Sequence, residues 1–205
     1  MSTNDSVNFG HSSIEPFKAA VENQSSQEVG RPLLFLDFDD VICLNAPYGG
    51  FDVAMASKEM PDDLWAKLWH EPAVKLLQEV LEAHNPYVII TSSWLRFLDQ
   101  QGAVDVFKAT GLERVAESLH PAWEAPQERG CSRLEAISGW LNSHHCSEAF
   151  AVFDDHLSGT GLAGSTLDLQ GRVVLCEVDV GLTLPQACKL HDALVRPVLD
   201  VDQRR

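Results

Sequence analysis

The order of apolar runs along the chain predicts an α/β fold, a parallel sheet of about five strands flanked by helices, with a short helical insert after the first strand. Three observations carry that reading. Leu33-Leu34-Phe35-Leu36 is a short, unbroken apolar run, as is Tyr87-Val88-Ile89-Ile90, and both suit strands buried on two faces. A third run, Ala149-Phe150-Ala151-Val152-Phe153, repeats the pattern. Between these runs lie stretches with apolar residues at helical spacing.

Taken in order, residues 1–30 are rich in Ser, Asn, Gln and Glu and read as a flexible leader, with one short helix over 14–21. Residues 31–205 read as one α/β domain. Its first strand covers 33–38 and runs into the turn-rich Asn45-Ala46-Pro47-Tyr48-Gly49-Gly50. Residues 43–71 form a small insert, too short for a large lid. Pro61 opens a helical stretch in it with Leu64, Trp65, Leu68 and Trp69 on one face. Pro72 fits only the first turn of a further helix, whose stripe is Val74, Leu77, Val80 and Leu81. The tryptophans suit packing, and a substrate platform made with Tyr48 or Phe51 is the alternative.

Asn85-Pro86 introduces the second strand, 87–90. A helix is expected over 94–109, a short third strand over 114–119 and a loop over 121–130. Ser132 with Glu135 has capping-box spacing and starts a helix carrying Leu134, Ile137, Trp140 and Leu141. The fourth strand, 149–153, ends in Asp154-Asp155-His156. A fifth covers 172–176, and an amphipathic helix covers 185–195.

Composition bounds the function classes. In 205 residues, 45% are hydrophobic and 22% charged, ordinary values for a chain with a buried core. The net charge of −15 argues against extended nucleic-acid binding, which depends on Lys and Arg meeting phosphates. The five cysteines (Cys43, Cys131, Cys146, Cys176 and Cys188) are odd in number and widely spaced. They suit reduced, mostly buried thiols rather than a zinc ribbon or a disulfide framework. The chain has neither a signal-peptide pattern at Met1 to Ser13 nor an apolar run of membrane-spanning length, so a cytoplasmic protein with no membrane partner is expected.

The chemistry gathers at strand ends. Asp37, Asp39 and Asp40 follow the first strand, Thr91 and Ser92 the second, Asp154 and Asp155 the fourth. In a parallel sheet the carboxyl ends share one edge, where open α/β sheets bind ligands. Clustered carboxylates repel one another and resist burial unless a cation neutralises them or one keeps a proton. Oxygen ligands of this kind suit a hard divalent cation, most simply Mg²⁺. A hydroxyl and backbone amides at a helix start suit a phosphate oxygen. The alternative is an acidic loop that follows a strand by chance.

Asp37-Phe38-Asp39-Asp40-Val41, Val88 to Thr91, a basic residue and Phe153-Asp154-Asp155, in that order, resemble the haloacid dehalogenase (HAD) superfamily, mostly Mg²⁺-dependent phosphatases. The resemblance covers residues 33–196 and implies a Rossmann-like, capless or small-insert domain. Ile90-Thr91-Ser92-Ser93-Trp94, with Val180-Gly181-Leu182-Thr183, is also similar to a bacterial subgroup that includes domains linked to RNA repair. The resemblance implies that Asp37 is the nucleophile and Asp39 the general acid and base. It implies a Mg²⁺ held by the Asp37 carboxylate, the Asp39 backbone carbonyl and Asp155, with Asp154 second or bound through water. Thr91 would hold a phosphoryl oxygen, with Ser92 the fallback. Arg133 would clamp phosphate, with Arg129 and Arg96 as competitors; a cation at a helix start is mildly unfavourable for the helix, which hints at another purpose. His156 suits capping or packing better than a contact with substrate.

The implied activity is phosphomonoester hydrolysis through an aspartyl-phosphate, on a small phosphomonoester or a phosphorylated terminus. Two alternatives stay open: a receiver-like phospho-signalling domain, in which a later Asp is phosphorylated, and a catalytically silent binding protein of the same fold. The D-x-D element coming first, before the hydroxyl, favours the hydrolase.

Overall fold

In a computed structural model of the chain, residues 30–56, 61–145 and 147–198 are described. The expected leader and the helix over 14–21 therefore lie outside the described residues, apart from Gly30. Five parallel strands form one sheet: β1 (Leu33–Leu36), β2 (Tyr87–Ile90), β3 (Leu119–Glu124), β4 (Phe150–Asp155) and β5 (Val173–Cys176), in the order β3-β2-β1-β4-β5. The helices are α1 (Gly50–Met55), α2 (Leu64–Lys67), α3 (Glu71–His84), α4 (Gln100–Ala109), α5 (Glu113–Glu117), α6 (Arg133–His144), α7 (Thr166–Leu169) and α8 (Leu184–Val195). This is the α/β architecture that the alternation of runs implied.

β1 is central and wholly buried, which is why it tolerates no polar residue until Asp37. Two apolar layers cover the sheet. Leu34, Leu36, Val88, Ile90, Ala151 and Phe153 face one layer with α3, α4 and α8; Phe35, Ile89, Val152 and Trp140 of α6 face the other. Alternation along each strand splits its residues between the two. Phe35 meets Trp140 edge to face at 5.2 Å, and Phe38 meets Trp94 in the same way at 5.2 Å.

The structure corrects the middle of the chain. The strand expected over 114–119 is instead helix α5 followed by β3, so the expected loop over 121–130 begins as strand. β3 is an edge strand, and an edge is where Pro121 can sit, since proline donates no ladder hydrogen bond. Its register with β2 is irregular, pairing Val88 with Leu119 and Ile90 with Glu124. The helix expected over 94–109 is a 3₁₀ turn, Ser93–Arg96, then α4, which starts afresh where the Asp99 carboxylate accepts from Gly102 N at 2.8 Å.

The insert carries α1 and α2, and Trp69 stacks on Trp94 with ring centroids 5.4 Å apart. That tryptophan is a packing residue; Trp65 and Tyr48 are half-buried against the same layer, and Phe51 is exposed. Cys43 and Cys176 are buried, Cys131 is half-buried and Cys188 exposed, all with free thiols. Burial pushes the Cys43 and Cys176 thiols up to about 12, which keeps them protonated. No helix among the described residues is long and apolar enough to cross a membrane.

Candidate active site

The register of the three inner strands brings the polar groups to one level. Leu36 pairs with Ile90 on one side and with Phe153 on the other. One residue further, Asp37 N donates to Phe153 O at 3.0 Å and Thr91 N donates to Leu36 O at 3.0 Å. Asp37, Thr91 and Asp154 are thereby locked side by side by main-chain bonds. All three are at most 1% exposed, as is Asp155.

Asp37, Asp154 and Asp155 form one cluster, with a carboxylate oxygen of each within 4.8 Å of the others. Arg133 stands against it, 1% exposed, with Nη2 3.5 Å from Asp37 Oδ1 and Nε 2.9 Å from Asp154 Oδ2. The second contact is close but misaligned for a hydrogen bond, so it is an ion pair only. Arg133 Nε and Nη1, Asp154 Oδ2 and Thr91 Oγ1 are buried without a hydrogen-bond partner. Such groups are costly to bury unless a ligand meets them.

Arg133 reaches the cluster because α6 is pinned at its start. Ser132 caps the helix with Glu135 in a capping box, as its spacing implied. Thr160, in the loop after β4, accepts from Arg133 N at 2.9 Å and from Leu134 N at 3.1 Å through its hydroxyl and carbonyl. The two ends of this contact are far apart in sequence, and only the fold joins them.

Asp39 is held elsewhere. Phe38 to Cys43 makes one tight turn, with Ile42 N and Cys43 N both donating to Phe38 O. This turn aims the Asp39 carboxylate at the start of the 3₁₀ turn after β2. Trp94 Nε1 donates to it at 3.0 Å and Ser93 Oγ at 3.2 Å. Asp40, expected in the acidic cluster, leaves it: in a left-handed conformation (φ 55°), it accepts from Asp179 N at 2.8 Å. Two of the three clustered carboxylates, Asp154 and Asp155, come from β4 instead.

Burial sets the electrostatics. It raises the carboxyl of Asp37 well above the usual range, reinforced by Asp154 and opposed by Arg133. Burial also raises Asp39, against the hydrogen bonds from Trp94 and Ser93. It pushes Asp154 up to about 6, against the pull of Arg133. Each shift follows from taking charge out of water. With all three carboxylates ionised, one guanidinium would leave two negative charges, which a divalent cation would balance; the all-oxygen donor set fits Mg²⁺.

Of the remaining expected residues, Ser92 caps the 3₁₀ turn through its Oγ, accepting from Trp94 N at 3.4 Å. Arg96 and Arg129 are exposed and touch none of the carboxylates. His156 Nε2 lies 3.5 Å from Glu177 Oε1 on the surface. Ser158 was not anticipated. Its hydroxyl lies 3.0 Å from Asp37 Oδ2 and 2.9 Å from Asp154 Oδ1, and also bonds Asp155 Oδ2. Asp155 Oδ1 accepts from Leu157 N and Ser158 N, which folds the loop back and delivers that hydroxyl. An Asp followed three residues later by Ser is a turn signature that could have flagged it.

The sequence matches, over residues 33–187, the family described as the HAD domain in Swiss Army Knife RNA repair proteins. Neither a curated protein nor a solved structure matches it significantly. The match spans more than half of the chain and includes β1 with Asp37 and Asp39, Thr91, Arg133 and the acidic pair on β4. By that match the chain belongs to the HAD domains of Swiss Army Knife RNA repair proteins, within a superfamily made up largely of hydrolases.

Proposed function

We propose that the protein is a Mg²⁺-dependent phosphomonoesterase in which Asp37 is the nucleophile and Asp39 the general acid and base. The observation that carries the reading is the division of labour among buried carboxyls: Asp37 clusters with Asp154, Asp155 and Arg133, while Asp39 is held apart by Trp94 and Ser93. Two carboxyl environments on one strand end suit two roles, attack and proton transfer.

In the first half of the reaction, an Asp37 oxygen bonds to phosphorus and the phosphorus–oxygen bond of the ester breaks. Asp39, whose raised pKa favours its protonated form, gives its proton to the departing oxygen. In the second half, the Asp39 carboxylate takes a proton from water, and the water oxygen displaces Asp37 to release phosphate. Splitting one displacement into two lowers each barrier. Arg133 and Thr91 have buried donors without partners, which suit the phosphoryl oxygens. Asp37, Asp155 and the Asp39 carbonyl would hold the ion, with Asp154 beside them. Bound there, Mg²⁺ would neutralise the repulsion between carboxylate and phosphate.

The same reading takes residues 31–205 as one catalytic unit working in the cytoplasm, with 43–71 beside the site. A phosphorylated substrate follows from the chemistry. The family's description supports a phosphorylated RNA terminus among the candidates, alongside small phosphomonoesters. The test is hydrolysis of p-nitrophenyl phosphate with and without Mg²⁺, beside Asp37→Asn. Mg²⁺-dependent release that vanishes in the variant is expected; wild-type turnover by the variant overturns the mechanism.

A further inference from the structure

An open cavity of about 630 Å³ lies after the 3₁₀ turn that follows β2, lined by Arg96, Phe97, Leu98, Asp99, Trp123 and Glu124 among others. It contains none of the clustered aspartates. Its side of the site is what gives it meaning. Asp155 and Ser158 come from the loop after β4, whereas Asp39 is held by Trp94 and Ser93 after β2. The cavity lies on the second side: the Phe97 ring is 6.1 Å from the ring of Trp94, whose indole nitrogen holds Asp39. The general acid must face the departing oxygen, and this cavity adjoins the indole that holds that acid.

The lining specifies the occupant. Of its lining rings, Phe97 is 42% exposed and Trp123 9%. Among the described residues, neither Arg96 nor Glu124 has an ion pair or a side-chain hydrogen bond. A free guanidinium and a free carboxylate beside an exposed ring call for a planar group with both acceptors and donors along its edge. A nucleobase has that character: a face that stacks and an edge that both donates and accepts. A sugar lacks the aromatic face, and a phenol offers one hydroxyl where a nucleobase offers several donors and acceptors. The size is also right, since ligand cavities run about 300–1,000 Å³.

We propose that this cavity is the leaving-group subsite and takes the nucleoside of a nucleoside monophosphate or of a phosphorylated RNA end, with Phe97 stacking on the base and Arg96 and Glu124 reading its edge; this rests on the assignment of Asp39 as general acid. Wild type, Phe97→Ala and Arg96→Gln are compared in Mg²⁺ on adenosine 3′-monophosphate, a 3′-phosphorylated RNA dinucleotide, O-phosphotyrosine and glycerol 2-phosphate. Binding of adenosine 3′-monophosphate is measured by calorimetry in Asp37→Asn, alone and combined with Phe97→Ala.

In Phe97→Ala, the kcat/KM ratio of nucleotide over glycerol phosphate falls on the order of tenfold, the usual worth of base stacking on an aromatic ring, and calorimetric affinity falls with it. The faster of the two nucleotide substrates tells a free nucleotide from a chain end. A ratio that stays within about twofold of wild type, a loss confined to phosphotyrosine, or no nucleotide binding overturns the subsite. Phe97-dependent binding without turnover keeps the subsite and removes the phosphatase reading. Turnover of glycerol phosphate with Phe97-independent nucleotide kinetics does the reverse.

Discussion

Replacing Arg133 with methionine isolates the electrostatics of the site. The side chain is 1% exposed, and its guanidinium lies 2.9 Å from Asp154 and 3.5 Å from Asp37. Methionine fills comparable volume but carries no charge, so the buried carboxylates lose the one counter-charge they have among the described residues. Breaking a buried pair from one side costs about 3–5 kcal/mol. Against a total stability of about 5–15 kcal/mol for a domain, that is a large fraction.

The pH dependence gives the sign. Asp37 and Asp154 are raised in the folded protein, so it binds more protons than the unfolded chain at mildly acidic pH. Stability drawn from these groups is therefore greatest at low pH and declines as pH rises through the folded pKa, about 6 for Asp154. Without Arg133 the upward shift grows, because the guanidinium opposes it in both groups. Urea melts followed by circular dichroism in chelator should show the full loss at pH 7.5 and a smaller one at pH 5. A loss under about 1 kcal/mol, or one equal at both pH values, would refute the role of Arg133 as counter-charge, because an uncompensated buried carboxylate must cost more than that when ionised.

Two further outcomes follow from single hydrogen bonds. Ser158→Ala removes the hydroxyl that touches all three clustered carboxylates; it should cost the ion-free protein about 1–3 kcal/mol at pH 7.5, and paired melts in Mg²⁺ should show a smaller cost. Trp94→Phe removes a donor that favours the ionised form of Asp39, so its carboxyl should titrate still higher and the corresponding limb of the pH–rate profile should move to higher pH; an unmoved profile would separate Asp39 from that limb.

Most of the sheet was legible because β1, β2, β4 and β5 are buried on both faces and so read as unbroken apolar runs. β3 was not. It is an edge strand carrying His120, Pro121 and Glu124, and nothing local distinguishes it from a loop. Arg114-Val115-Ala116 reads locally as strand, yet it is helical because Val115 packs under α3 and α4. The convergence of Asp37, Thr91, Asp154 and Asp155 could be read from strand ends alone, since parallel topology makes those ends neighbours. Arg133 was reachable through its helix start. Ser158, Ser93 and Trp94 owe their places to turn geometry after a strand, and Thr160 to a contact between distant segments; Asp40 left the cluster because its backbone turns left-handed. Periodicity carries no record of such turns.

The central claim is that phosphate passes through Asp37. The direct measurement is an acid quench during turnover of a ³²P-labelled monoester in Mg²⁺, followed by peptide mapping in wild type, Asp37→Asn and Asp39→Asn. Label should sit on the peptide containing Asp37, accumulate in Asp39→Asn where water is no longer activated, and be absent from Asp37→Asn. Label on Asp154 would indicate a receiver-like phosphoacceptor, and undiminished turnover with no label on Asp37 would mean that water attacks phosphorus directly; either result contradicts the account.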